Sequence, residues 1–147
     1  PLSREIEQTV RYLSLEQARF GEDRLAVEVN VDDDVRAMSV PAFMVQPLVE
    51  NSVKHAMPAE GKLTISITGE MDGDDVYLHV SDDGIGMSED AVRNIMNPKS
   101  QTGLGIAVKN VNDRLRGYYG EEAYMKIESE LGVGTQVTLY LYDCAHV

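Results

Sequence analysis

The sequence predicts an α+β fold, a two-layer sandwich in which three main helices cover one face of a mainly antiparallel sheet. Three observations predict it. Several segments alternate apolar and polar residues at the two-residue period of a strand, others repeat apolar residues at helical spacing, and glycine-rich turns divide them. With 147 residues, 43% of them apolar, the chain can bury one real core and has little left for a second.

Residues 2–20 place Ile6, Val10, Leu13 and Gln17 at helical spacing, with Leu2 and Phe20 at the ends and Gly21 as a stop. This predicts an amphipathic helix. LAVEVNV at 25–31 alternates strictly, with Leu25, Val27, Val29 and Val31 on one face. From Pro41 to Ala56 the chain is apolar at helical spacing and stops just before Pro58, a second helix that starts where a first turn tolerates proline. KLTISIT and DVYLHVSD alternate around the turn MDGDD and predict a hairpin with Leu63, Ile65, Ile67, Val76, Leu78 and Val80 inward. SEDAVRNIM opens on Ser88, an N-cap residue, and predicts a short helix followed by a loop, NPKSQTG. GIAVKNVNDRLRGYYG predicts the third main helix, with Ile106, Val108, Val111 and Leu115 on one side and Gly120 beyond its end. AYMKIESE, the turn LGVG and TQVTLYLY form a last hairpin.

Charge excludes some functions. The net charge of -12 opposes a nucleic-acid surface, where Lys and Arg must neutralise phosphates. It also opposes any anionic ligand, so such a site needs a metal ion, a few cations and backbone N–H groups to reverse the field locally. No run approaches the roughly 18 apolar residues of a membrane span, and no signal-like N-terminus is present. Cys144 is the only cysteine, which rules out an internal disulfide and suggests a reducing, intracellular setting. Because the chain opens with Pro1 and passes at once into a helical segment, it is expected to be a piece of a longer protein.

Four short motifs could carry chemistry. In VSDDGIGM a strand runs into D-x-G-x-G, with Asp82, Gly84 and Gly86. A carboxylate there can accept a hydrogen bond from the amine of adenine, and the glycines let backbone approach the base. In PLVENSVKHA, Asn51 and His55 lie one turn apart on a helix beside Lys54, an oxygen ligand and cations within reach of one anion. A neutral Asn oxygen suits magnesium when a triphosphate supplies the charge. In TGLGIAVKN, Gly103 and Gly105 lead into a helix whose first N–H groups can hold phosphate. In LGVGTQV, Gly132, Gly134 and Thr135 stand before the last strand. Alone, each has a plain structural reading, as an acidic turn, a solvated helix stripe, a linker and a hairpin turn.

Their order is what distinguishes them. An Asn-bearing helix, strand-D-x-G-x-G, a G-x-G loop opening a helix and G-x-G-T before a last strand closely resemble the Bergerat-type nucleotide-binding fold shared by histidine kinases, DNA gyrase, the Hsp90 chaperones and the MutL repair proteins, over residues 40–142. YLSLEQARFG, VPAFMVQPLVENSVKHA and KNVNDRLRGYYG resemble the LytS-like branch of sensor histidine kinases and extend the similarity back to about residue 2. The resemblance implies that ATP and magnesium bind. Asn51 would hold the metal, Lys54 and His55 would contact phosphates, and Asp82 would bind adenine. Gly84 and Gly86 would shape the base pocket, Gly103 and Gly105 would line the phosphate side, and Thr135 would join the network around Asp82. Residues 88–102, with Pro98, correspond to the lid over the nucleotide. Glu50, beside Asn51, is a candidate to orient the acceptor imidazole or a metal-bound water, so the catalytic set is Glu50, Asn51 and Lys54.

Two departures from the branch matter. Ala107 stands where a second glycine is usual, and Pro47, one turn before Asn51, stands where hydrolytic members carry the glutamate that activates water. The expected function is therefore the catalytic ATP-binding domain of a two-component sensor histidine kinase, which transfers the γ-phosphoryl group to a histidine outside this chain. The alternatives are a non-catalytic nucleotide-sensing module and a hydrolytic clamp of the gyrase or MutL type. Residues 1–20 would be a helix leading from a missing dimerisation and phosphoacceptor region, and 21–147 the catalytic domain. Its partners would be that region and a response regulator, with no nucleic acid. The domain would be cytoplasmic, and membrane contact would come only through other parts of a parent in the cell membrane. His55, His79 and His146 are poor acceptors, being respectively in the pocket, on a strand and at the C-terminus, so the fragment alone is not expected to phosphorylate itself.

Overall fold

The computed structural model describes residues 2–21, 23–38, 40, 44–96, 103–119 and 124–141. The elements run α1 (Leu2–Phe20), β1 (Leu25–Val31), α2 (Asp33–Arg36), α3 (Gln46–His55), β2 (Leu63–Asp72), β3 (Asp75–Asp82), α4 (Glu89–Met96), α5 (Gly103–Tyr119), β4 (Tyr124–Glu130) and β5 (Gly134–Leu141). The strands form one five-stranded sheet in the order β1-β2-β3-β5-β4. Only β1 and β2 pair in parallel, because α2 and α3 lie between them in the chain and carry it back to the same end. The other pairings are antiparallel, with Asp72 opposite Asp75 at the first hairpin and Glu130 opposite Gly134 at the last.

The strand periodicity carries directly into burial. Leu63, Ile65 and Ile67 of β2, Val76, Leu78 and Val80 of β3, and Leu139 and Leu141 of β5 point to the helices and are buried. Their neighbours form a polar outer face, where His79 Nδ1 lies 3.0 Å from Thr138 Oγ1 and Ser81 donates to Gln136 at 3.1 Å. The helices close the core with Leu2, Ile6 and Leu13 of α1, Leu48, Val49 and Val53 of α3, and Val108, Val111 and Leu115 of α5. Ser88 caps α4 as expected, accepting the Ala91 N–H at 3.2 Å.

Some boundaries and faces differ from the expectations. The buried stripe of α1 runs through Glu5, Ile6, Thr9 and Leu13, while Val10 is 36% exposed. Thr9 can face the core because its hydroxyl donates to the Glu5 carbonyl at 2.8 Å, leaving its methyl to pack. Helix α3 begins at Gln46 rather than Pro41. It is Pro47 that occupies the first turn, where a missing N–H breaks no bond. Helix α2 was not expected; it places Val35 over Gly69 of β2. Helix α5 begins two residues early, so Gly103 and Gly105 form its first turn rather than a loop before it. Pro41, the segment 97–102 with Pro98, the Ile106 side chain, Gly120, Cys144 and His146 lie outside the described residues.

Gly69 shows how tightly the layers fit. A Cβ there would sit 3.0 Å from Leu78 Cδ2 and 3.1 Å from a methyl of both Val31 and Val35. Gly69→Val is expected to lower unfolding stability by about 1–3 kcal/mol through overpacking. Urea denaturation tests it, and a change below about 0.5 kcal/mol, the range of neutral surface substitutions, would show that α2 yields without cost.

Candidate functional site

A cavity opens where α3, α4 and α5 meet the β3, β5 and β4 end of the sheet. Counting the open space at its mouth, it encloses about 490 Å³. Most of its wall is apolar, supplied by Leu48, Ile85, Met87, Ile95, Val108, Ile127 and Val137, with Asn51, Ser52, His55, Asp82 and Thr135 as polar groups. The chain's strong negative charge is thus absent from the lining: Asp82 is its only carboxylate among the described residues.

Asp82 ends β3 and is held from two sides. Its Oδ1 accepts the Gly84 N–H at 3.0 Å and its Oδ2 accepts the Ser52 hydroxyl at 3.1 Å. Burial pushes its pKa above the ordinary aspartate value, and the charge of Asp83 adds to this, while the Gly84 N–H, the Ser52 hydroxyl and the Thr135 N–H pull it down. Asp83 has another task. Its Oδ1 accepts the Thr64 N–H at 2.7 Å on the exposed side, tying the start of β2 to the end of β3. The alternation of the strand agrees with the D-x-G-x-G spacing in setting Asp82, and not Asp83, on the cavity side.

The D-x-G-x-G loop is clamped between two elements. The Ile85 N–H donates to the Ala56 carbonyl at 3.0 Å, just past α3, and the Ile85 carbonyl accepts the Gly132 N–H at 2.8 Å from the last hairpin turn. The Met87 N–H donates to Ser129 Oγ at 2.8 Å. Glycine is required here by space. A Cβ on Gly84 would lie 2.2 Å from the Ala56 oxygen, and one on Gly86 would lie 2.0 Å from the Glu130 oxygen. Gly134 meets the same constraint against the Asp82 oxygen at 2.0 Å, with φ at 142°, whereas nothing crowds Gly132.

The structure brings Asn51, His55, Asp82, Gly86 and Thr135 to the cavity, with Gly84 directly behind it. Asn51 Nδ2 is buried and has no hydrogen-bond partner among the described residues, an omission that costs about 1–3 kcal/mol unless a ligand supplies the partner. Thr135 pairs with Asp82 in the β3–β5 ladder, and its hydroxyl lies 2.7 Å from Ser129 Oγ. Since Ser129 donates to the Gly134 carbonyl, Thr135 is the donor in that pair. Gly103 and Gly105 occupy the first turn of α5, ahead of Val108 on the cavity wall. Lys54 is exposed and does not line the cavity. Neither does Glu50, which accepts from Gln46 Nε2 at 3.2 Å and lies on the side of Tyr12 of α1, whose pKa is raised by burial and by the charges of Glu16 and Glu50.

Ser52, Met87, Ser129 and the apolar wall were missed by sequence reasoning. Nothing local marks Ser52, because its partner is thirty residues away. Ile127 and Val137 were legible only as strand residues.

Residues 40–143 match the family model described as histidine kinase-, DNA gyrase B-, and HSP90-like ATPase. The sensor protein LytS of Bacillus subtilis (strain 168) is 37% identical over 143 residues, covering 94% of this chain and 24% of the relative. The sensor histidine kinase/phosphatase LytS of Staphylococcus aureus (strain N315) is 37% identical over 133 residues, 87% of this chain and 22% of the relative. The chain thus spans about a quarter of the length of these curated relatives. Among solved structures, the histidine kinase domain of the blue-light activated histidine kinase from Erythrobacter litoralis EL346 superposes with a TM-score of 0.66 at 18% identity, covering 99% of this chain and 62% of that one. Acinetobacter baumannii histidine kinase AdeS gives 0.66 at 16% identity, over 95% and 64%. At these identities the structural likeness speaks for the fold.

Burial of Asp82 has a measurable consequence. Because its folded pKa is raised, the native state binds more protons than the unfolded chain above about pH 4, and stability is lost as pH rises through the folded value. Asp82→Asn removes this penalty and can keep both contacts, its oxygen accepting from Gly84 and its amide donating to Ser52. In urea titrations the variant should be the more stable chain at pH 7, with the gap narrowing at pH 4. A wild type more stable than the variant at pH 7 would show that the hydrogen bonds to the carboxylate outweigh its burial.

Proposed function

This chain belongs to the histidine kinase-, DNA gyrase B-, and HSP90-like ATPase family, and from that membership we propose that it is the ATP-binding catalytic domain of a LytS-type sensor histidine kinase, passing the γ-phosphoryl group of ATP to a histidine outside residues 1–147. The observation that carries the proposal is the Asp82 carboxylate, fixed by Gly84 and Ser52 at the polar end of an apolar cavity. Such a group accepts a hydrogen bond from the amine of adenine, while the apolar walls take the faces of the base.

The remaining residues sort by position. Asn51 is one turn before His55 on the cavity side of α3, and its buried, unpartnered amide fits a polar ligand group there. Magnesium, when bound, offsets the charge of the triphosphate, and Asn51 is the side chain that would hold it. His55 at the mouth, Lys54 on the adjacent exposed surface, and the N–H groups of the α5 first turn at Gly103 and Gly105 would meet the phosphates. Glu50 lies off the cavity, so it can act only on a group arriving from outside, such as an acceptor imidazole. Pro47 offers no base one turn before Asn51, which supports transfer over hydrolysis.

In the parent protein, residues 1–20 would connect to a dimerisation and phosphoacceptor region, with 21–147 as the catalytic domain, and a response regulator would receive the phosphoryl group. No described helix is long and apolar enough to cross a membrane; anchoring of a parent sensor in the cell membrane, with this domain in the cytoplasm, would rest on other segments.

Calorimetry with ATP and GTP tests the base assignment. Asp82 would face the guanine carbonyl acceptor against acceptor, so ATP should bind at least about tenfold more tightly. Asp82→Asn should cost roughly 10- to 100-fold in ATP affinity, the worth of a hydrogen bond to a charged group, and Asp83→Asn far less. GTP binding within about threefold of ATP would reject the assignment.

Metal dependence tests Asn51. Asn51→Ala should remove most of the advantage that magnesium gives to ATP binding. Equal enhancement by magnesium in both chains would exclude Asn51 as the ligand.

A further inference from the structure

Helix α3 carries Asn51, Ser52 and His55, yet it has no cap of its own. Val45 stands at the N-cap in helical conformation, φ −93° and ψ −47°, with no side-chain hydrogen bond, and the first turn holds no acid. The missing acceptor comes from another helix. Glu5 of α1, forty residues earlier, accepts the Val45 N–H at 2.7 Å and the Gln46 N–H at 3.3 Å through Oε1.

Glu5 is 6% exposed, among Leu2, Ile6 and Leu13 on the buried stripe of α1, and its Oε2 is buried without a hydrogen-bond partner among the described residues. A carboxylate there is costly to bury, and packing alone would be served better by an apolar residue of the same size. Burial pushes its pKa up, while the N–H groups of Val45, Gln46 and Met44 and the charge of Arg114 pull it back. Its position at the positive end of the α3 dipole is the compensation the geometry offers.

We infer that Glu5 is a positioning residue for the nucleotide site: by capping α3 from α1, it sets the rotation and axial position at which Asn51 and Ser52 face the cavity. Movement of α1 then changes nucleotide affinity, and by reciprocity nucleotide binding strengthens the docking of α1. The inference rests on the proposed ATP site, since that site is what α3 positions.

The test compares Glu5→Gln, which keeps the acceptor oxygen, with Glu5→Met, which keeps the volume and loses it. Thr9→Val, on the same buried face but with its side-chain hydrogen bond inside α1, serves as the control. Amide exchange at Val45 and Gln46 is followed without nucleotide, and ATP affinity is measured by calorimetry. Glu5→Met should speed exchange at both amides and weaken ATP binding by about tenfold, within the usual span of coupling between sites, while Glu5→Gln recovers most of both and Thr9→Val leaves affinity unchanged. If Glu5→Met does not fold, Glu5→Asp, whose carboxylate is one carbon too short to reach, carries the same expectation. A folded variant with fast exchange that binds ATP within about twofold of wild type overturns the coupling, as does unchanged exchange or an equal loss in Thr9→Val. A wild-type chain that binds no ATP would sink the nucleotide proposal and the coupling with it; wild-type binding with unaltered variants overturns the coupling alone.

Discussion

The site depends on three places where main chain meets main chain with no room for a side chain. Gly84 lies against the Ala56 carbonyl, Gly86 against the Glu130 carbonyl and Gly134 against the Asp82 carbonyl, each at a separation that a Cβ would reduce to about a hydrogen-bond length or less. These contacts draw the end of α3, the loop after β3 and the last hairpin to one point. Asp82 is then within hydrogen-bond reach of Ser52 on one side and beside Thr135 on the other. An alanine at any of the three would force the elements apart and open the cavity from behind.

The convergence also solves an electrostatic problem. With a net charge of -12, the surface repels anions, and salt largely screens that repulsion only beyond about 8–10 Å. The cavity wall is mostly apolar and carries a single carboxylate among the described residues. In the proposed reading that carboxylate would take a hydrogen bond from a base rather than meet phosphate. Backbone N–H groups, Asn51 and His55 would be left for the anionic end. Segregating one acid at one end of an apolar slot would let an acidic domain accept an acidic ligand.

Helix α1 belongs to the same mechanical unit. Its buried face packs on the sheet and against α3, and the α3 N–H groups are completed by its carboxylate. In the proposed reading, a segment that would connect this domain to the rest of a sensor would therefore also help to shape the nucleotide site.

The strands, the site motifs and their order are legible in the chain alone, because alternation and helical spacing are local properties and the glycines and acids stand next to the elements they serve. The sequence separated the inward residues of β2, β3 and β5 from their outward neighbours, and it singled out Asp82 and Asn51. Only the tertiary structure decided which face of α1 is buried, since a Thr that bonds its own helix can replace Val10 in the core. Folding, not the local sequence, sets Gly134 against the end of the paired strand β3 at Asp82 and leaves Gly132 uncrowded. It also decided that Ser52 serves Asp82 and Glu5 serves α3, over separations of 30 and 40 residues. Such pairings carry no local signature: a Ser or a Glu on a helix looks solvated until the fold supplies the partner that offsets part of the cost of its burial.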